Sequence, residues 1–247
     1  RRVLFRSRAG DHALLVAATG AGKTLAGFLP TLTELIEVPT DGLHTLYVSP
    51  LKALAVDIQR NLVTPIDEMG LDLRVETRTG DTPSDRKARQ RAKPPHILLT
   101  TPESLSLLLS YPDAATMFAG LRTIVVDEVH AFATGKRGDL LSLCMARLQR
   151  LAPAMRRVAL SATVADPDGY RAWLAPDGDI DRVIIEWRSL MRQIAHAPAL
   201  NNVRWTSLQT LARATLQETR SPTDTQLPPL DYHQTKRTDH RLDLRRH

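Results

Sequence analysis

Residues 17–24, Ala-Ala-Thr-Gly-Ala-Gly-Lys-Thr, combine small residues with a lysine and a hydroxyl group. Small residues let backbone N–H groups curl around phosphate oxygens, and a helix that starts there adds the favourable field of its N-terminus. In such a P-loop the lysine reaches the β- and γ-phosphates and the threonine hydroxyl holds Mg²⁺. Ala17 stands where the general pattern has its first glycine. The predicted nucleotide-binding residues are Thr19, Gly20, Ala21, Gly22, Lys23 and Thr24.

Two adjacent carboxylates, Asp127 and Glu128, follow the apolar run Thr-Ile-Val-Val. A carboxylate at the carboxyl end of a strand lies beside the phosphate loop in an open α/β sheet. Asp127 is predicted to hold Mg²⁺ through its water shell, because this small cation keeps several waters. Glu128 is predicted to orient and deprotonate the attacking water as a general base. The candidate metal ligands are Thr24 and Asp127, and the candidate catalytic residues are Lys23, Asp127, Glu128 and His130.

Alternating strands and helices are needed to position these motifs, and the sequence predicts them from about residue 13 to residue 187. Several apolar runs are continuous in Val, Ile and Leu, as expected for parallel strands covered on both faces. Such alternation implies βαβ units and an α/β fold with an open sheet. The predicted strands are 13–17, 44–49, 74–77, 97–100, 123–127, 158–161 and 182–186. The predicted helices are 23–37, 52–69, 83–92, 103–110, 137–151 and 167–174.

The ordered motifs resemble those of superfamily 2 helicases of the DExH kind, in which the P-loop often starts with alanine. Residues 49–54 (SPLKAL) resemble motif Ia, 78–81 (RTGD) the TGD segment, 101–104 (TPES) motif Ib and 161–163 (SAT) motif III. The wording around them, such as SPLKALAVD and LLTTPESLSLLLS, is most similar to the Lhr (large helicase-related) family, and within it to the ligase-associated type. The resemblance implies a P-loop NTPase domain of the RecA-like kind, a mostly parallel sheet with helices on both faces.

The same resemblance implies ATP and Mg²⁺ as cofactors and a single strand of nucleic acid as the partner, with DNA favoured over RNA. Motifs Ia and Ib would grip the phosphates, since sequence-independent binding is made at the backbone. Motif III would link ATP hydrolysis to strand movement, with Ser161 and Thr163 hydrogen-bonding toward His130. The implied nucleic-acid-binding residues are Pro50, Lys52, Gly80, Thr101, Pro102 and Ser104, and the implied coupling residues are Ser161, Ala162 and Thr163. Taken alone, Thr101-Pro102 also fits an ordinary turn and Ser104 a helix N-cap.

The net charge of +6 does not by itself indicate nucleic-acid binding. Its positive excess lies in residues 1–8 and 188–247, so residues 9–187 are mildly acidic. Five cations within residues 86–93 form a local basic cluster, which fits either a nucleic-acid contact or a solvated helix face. The single Cys144 excludes an internal disulfide framework and favours a reducing compartment. No apolar run approaches the length of a membrane span, so we expect a cytoplasmic protein, with DNA repair as its setting and repair proteins as partners.

Two parts of a complete motor are not recognisable. Residues 1–12 lack the glutamine-bearing adenine segment, and residues 188–247 lack the motifs of a second RecA-like domain, which would supply arginine fingers. We expect a non-native or disordered lead at 1–8, the ATP-binding domain at 9–187, and an atypical tail, disordered or frame-shifted, at 188–247. The chain alone would bind Mg·ATP but turn it over slowly. The alternatives are a nucleotide-gated nucleic-acid-binding module without turnover, an RNA helicase domain, and a P-loop enzyme such as a small-molecule kinase.

Overall fold

The computed structural model describes residues 12–16, 23–68, 70–132, 135–162, 167–174 and 184–186. The strands are β1 Ala13–Val16, β2 Thr45–Val48, β3 Val75–Arg78, β4 Ile97–Thr100, β5 Thr123–Val126, β6 Arg156–Ser161 and β7 Ile184–Glu186. The helices are α1 Lys23–Glu37, α2 Lys52–Glu68, α3 Ser84–Ala92, α4 Pro102–Ser110, α5 Ala114–Phe118, α6 Lys136–Leu151 and α7 Pro167–Leu174, with a 3₁₀ turn at Val129–Ala131. Within these residues, no helix has the length and apolar character that crossing a membrane requires.

The seven strands form one sheet in the order β3-β4-β2-β5-β6-β1-β7, and every described pairing is parallel. The predicted α/β class with a parallel sheet is therefore confirmed. The strands are short and almost wholly buried, which is why their sequences are continuous apolar runs.

Successive residues of each strand pack on opposite faces of the sheet. On one face Tyr47, Val125 and Leu160 belong to a core with apolar residues of α1 and α2. On the other face Leu46 and Ile124 belong to a core with α4, α5, α6 and α7. Helices thus cover both faces, as predicted.

The predicted element bounds agree with the observed ones within about two residues, with one helix missed. Helix α5, Ala114–Phe118, has only five residues and is too short to show a helical period. It is held by burial of Ala114, Met117 and Phe118 rather than by its own propensity.

The carboxyl ends of parallel strands meet at one edge of the sheet, and this edge divides into two halves. The loops after β5, β6 and β1 carry the predicted nucleotide motifs, and these three strands are neighbours. The loops after β3, β4 and β2 carry the predicted nucleic-acid motifs, and these three strands are also neighbours. The two halves meet where β2 pairs with β5.

Candidate nucleotide and nucleic-acid site

Asp127 lies immediately after β5 and is fixed by three hydrogen bonds. Its backbone N–H donates to the carbonyl of Val48 at 2.9 Å, which extends the ladder between β5 and β2. Its Oδ1 accepts the backbone N–H of Glu128 at 2.9 Å, and its Oδ2 accepts the hydroxyl of Tyr47. Only 5% of Asp127 is exposed, so the carboxylate has one fixed orientation in a nearly dry setting.

Tyr47 connects this carboxylate with the start of α1. Its hydroxyl donates a hydrogen bond to Asp127 and lies near the side chain of Thr24. Burial raises the pKa of the phenol, and the charge of Asp127 raises it further. Tyr47 is therefore a protonated hydrogen-bond donor at neutral pH.

The oxygen atoms of Thr24 and Asp127 fit a magnesium ion. Asp127 accepts the hydroxyl of Tyr47 and Thr24 lies near the same phenol, so the two predicted ligands lie close together even though 103 positions separate them in the sequence. Within the described ranges no group of three or more His, Cys, Asp or Glu side chains could hold a metal. That donor set suits Mg²⁺, which binds through one or two carboxylates plus substrate phosphates rather than through a protein cage.

The P-loop itself is only partly described. Thr19, Gly20, Ala21 and Gly22 lie outside the described residues. Lys23 is the first residue of α1, and Thr24 follows it. Their predicted roles in nucleotide binding stay predictions.

Glu128 occupies a left-handed backbone conformation, with φ 47° and ψ 50°. Among the described residues it is the one non-glycine residue with positive φ. This conformation costs an L-residue about 1–2 kcal/mol. Strain of this kind is concentrated at functional sites, where it aims a side chain that regular structure would place elsewhere.

His130 joins the Asp127–Glu128 segment to the end of β6. Its Nδ1 lies 3.1 Å from the hydroxyl of Ser161 and 3.3 Å from Oε2 of Glu128. The predicted contact between Ser161 and His130 is therefore present in the structure. Ala162 directly follows β6, and Thr163 lies outside the described residues.

The other half of the edge presents an exposed pair, Lys52 and Asp81. The Lys52 ammonium donates to both carboxylate oxygens of Asp81, at 3.0 and 2.9 Å. It also lies over Gly80, 3.5 Å from the position that a Cβ there would take. Lys87 approaches the same loop and donates to the carbonyl of Gly80 at 2.8 Å. A cation, an open backbone and a nearby carboxylate thus meet at the TGD loop.

Thr101, Pro102 and Ser104 form the buried start of α4. The Thr101 hydroxyl accepts the backbone N–H of Ser104 at 3.4 Å and caps the helix. Pro102 occupies the first turn, where its missing N–H costs nothing. Pro50 is buried as well. The structure thus contains the ordinary cap and turn, so that any phosphate contact here would use backbone amides rather than free hydroxyl groups.

The basic cluster of residues 86–93 is largely engaged within the chain. Glu76 lies 3.5 Å from Arg86 and 3.0 Å from Arg89. Arg91 stacks over the ring of Tyr111, 4.0 Å from its centroid. The surroundings of α3 therefore favour the solvated, internally paired face over a dedicated nucleic-acid contact.

Arg137, at the start of α6, pairs with a residue of motif Ib. Its Nε donates to Oε1 of Glu103 at 2.6 Å and its Nη2 to Oε2 at 3.2 Å. This forked pair joins the start of α6 to the first turn of α4. It thereby fixes motif Ib relative to the segment that follows Glu128.

Sequence reasoning missed two residues of this edge, Tyr47 and Asp81. Tyr47 carried one signal, a phenol within a strand of otherwise apolar or β-branched residues. Asp81 belonged to the recognised TGD segment. Its ion pair with Lys52 was not predictable, because the two residues are 29 positions apart and no local sequence pattern connects them.

The known proteins that this chain is similar to are helicases. The family model for the DEAD/DEAH box helicase matches residues 2–169. The ATP-dependent helicase Lhr-Core protein 2 of Thermococcus barophilus is 44% identical over 179 residues, 66% of this chain and 21% of that protein. The solved structure of Mycobacterium smegmatis helicase Lhr bound to ssDNA and AMP-PNP is 41% identical with a TM-score of 0.65, covering 74% of this chain and 24% of that chain. The DUF1998 helicase MrfA bound to DNA and AMPPNP is 26% identical with a TM-score of 0.64, covering 74% and 26%. The chain thus spans about a fifth to a quarter of the length of these relatives.

Proposed function

This chain belongs to the DEAD/DEAH box helicase family, and we propose that it is the first motor domain of an ATP-dependent helicase or translocase acting on single-stranded DNA. The observation that carries this proposal is the junction at the carboxyl edge of the sheet. There Asp127 lies close to Thr24, directly beside Glu128 and on the same edge as the exposed Lys52.

Each residue of the nucleotide half has a distinct role in this proposal. Lys23 binds the β- and γ-phosphates, and Thr24 and Asp127 hold the metal. Mg²⁺, when bound there, would neutralise the charge that develops during phosphoryl transfer. Glu128 accepts the proton of the attacking water. His130 links this centre to motif III, because its Nδ1 lies 3.1 Å from the hydroxyl of Ser161.

The nucleic-acid half binds the phosphate backbone. Lys52 offers a cation above the open surface of Gly80, and the start of α4 offers backbone amides near Thr101. These groups read no bases, so the preference for DNA is supported by relatives whose structures contain DNA. An RNA helicase domain is the alternative within the same class.

Efficient turnover in this proposal requires a second RecA-like domain, because such a domain supplies arginine fingers that stabilise the charge on the transferring phosphoryl group. We propose that the chain alone binds Mg·ATP, turns it over slowly and does not unwind a duplex. A nucleotide-gated binding module without turnover is the alternative from a different class. We further propose that the chain is of the ligase-associated type, acts in DNA repair and is cytoplasmic. The Lhr-like sequence of the motifs supports these proposals.

The test measures ATP binding and hydrolysis by this chain with and without single-stranded DNA, with Lys23→Ala as the blank. We expect Mg²⁺-dependent nucleotide binding that Lys23→Ala abolishes, and slow turnover that is stimulated by DNA. Binding with no turnover under any condition supports the binding module instead. Equal, weak nucleotide binding by both proteins contradicts the P-loop assignment.

Lys52→Gln is expected to weaken binding of single-stranded DNA and to lower its salt dependence. Loss of one phosphate contact reduces the slope of log K against log salt by about 0.7 for a single strand. Asp81→Asn is expected to act in the opposite direction on affinity, because it removes a carboxylate from the same phosphate path. Fluorescence anisotropy at several salt concentrations measures both effects.

Arg150→Gln is the matched control for this charge change. Arg150 lies in the last turn of α6, which ends at the opposite edge of the sheet, and its side chain is exposed. We expect an unchanged salt slope for it. If Lys52→Gln and Arg150→Gln behave alike, Lys52 does not contact the strand.

A further inference from the structure

Tyr47 is a buried polar side chain that the proposed roles do not use. Its exposed fraction is 0%, and it lies on β2 opposite Val125 of β5. Its ring stacks on Phe28 of α1, with the centroids 5.0 Å apart and the planes 18° apart. These contacts fix the ring and therefore fix the position of its hydroxyl group.

The hydrogen bond of this hydroxyl has one direction. The phenol has one proton, and the carboxylate of Asp127 accepts it. Thr24, the other predicted metal ligand, lies near the same phenol.

We propose that Tyr47 is a positioning residue for the magnesium site, acting through its hydrogen bond to Asp127. This inference rests on the proposed function, in which Thr24 and Asp127 hold the metal. The phenol fixes the orientation of the Asp127 carboxylate before nucleotide arrives. Partners that orient metal ligands in this way contribute strongly to metal affinity.

A packing role alone would need only the aromatic ring. Tyr47→Phe would keep the stack on Phe28 and the contacts of the core, and would remove only the hydrogen bond to Asp127. The hydroxyl group therefore separates the positioning role from the packing role.

The experiment titrates a fluorescent ADP analogue against the full chain, once in EDTA and once over a series of Mg²⁺ concentrations, for wild type and Tyr47→Phe. We expect the affinity in EDTA to stay within about twofold of wild type, because the loop that binds phosphates is unchanged. The Mg²⁺ concentration that gives half of the metal-dependent tightening is expected to rise about 10-fold or more. Tyr111→Phe is the matched control. It removes only the hydroxyl group of a tyrosine whose ring packs against Arg91, outside the metal site.

Each other outcome overturns the inference in a recognisable way. Identical Mg²⁺ titrations for wild type and Tyr47→Phe show that the hydroxyl does not position the metal ligands, while the proposed function stands. Loss of nucleotide affinity in EDTA as well shows that Tyr47 is merely structural. Wild-type binding that does not respond to Mg²⁺ overturns both the inference and the proposed function.

Discussion

Replacing Glu128 with glutamine is expected to leave Mg·ATP binding intact while lowering ATP turnover by about 10²–10⁴-fold, the usual contribution of a general base. The amide has the shape of the carboxylate but cannot accept the proton of water. Glutamine also tolerates the left-handed conformation no better than glutamate, so the strain at this position is unchanged. The loss would therefore be chemical rather than conformational.

Single-turnover hydrolysis and nucleotide titration, measured on the same preparations, separate the two quantities. Glu68→Gln is the control, since Glu68 is exposed at the last position of α2. Both variants should bind nucleotide like wild type, and only Glu128→Gln should lose turnover. Turnover at the wild-type rate in Glu128→Gln would assign the base to another group.

Gly138→Ala is expected to destabilise the fold by about 1–3 kcal/mol, the usual cost of overpacking a close contact. A Cβ at this buried position of α6 would lie 1.8 Å from the carbonyl oxygen of Phe132 and 2.9 Å from its carbonyl carbon. A backbone carbonyl cannot rotate away as a side chain can. Either α6 must move outward or the turn that follows His130 must open, so we expect weaker nucleotide binding together with the lower melting temperature.

Gly27→Ala provides the comparison, because it adds the same methyl group within another helix. There the new Cβ would meet both δ-carbons of Leu160 at 3.2 Å, atoms at the end of a flexible side chain. The gain in helix propensity, about 1 kcal/mol, is available to this variant at a smaller steric cost. Thermal unfolding should show Gly27→Ala close to wild type and Gly138→Ala clearly below it. The reverse order would contradict the close approach of α6 to Phe132.

The sequence predicted the sheet well because buried parallel strands such as β4 and β5 are read directly from continuous apolar runs. The position of the two candidate metal ligands could be predicted for a related reason, since Asp127 directly follows β5 and Thr24 lies at the start of α1. The resemblance to Lhr helicases is confirmed by the relatives of that name.

What the sequence could not predict are contacts between distant positions. The bond between Tyr47 and Asp127 joins residues 80 apart and depends on which strands become neighbours. The cations of α3 resembled a binding surface until the structure placed Glu76 beside them. A local charge pattern does not show which residues its charges will pair with. The topology of the sheet decides which residues become neighbours.

Strand β2 is where the two halves of the carboxyl edge meet, and this has a thermodynamic consequence. Tyr47 on the strand contacts the nucleotide half, and Lys52, five positions later, contacts the nucleic-acid half. Hydrogen bonds to β4 on one side and β5 on the other keep β2 from bending between them. If nucleotide and a strand bind to these two halves as proposed, any coupling between them is a single free energy, and coupling of this kind is reciprocal. The factor by which a bound strand changes the affinity for nucleotide must equal the factor by which bound nucleotide changes the affinity for the strand.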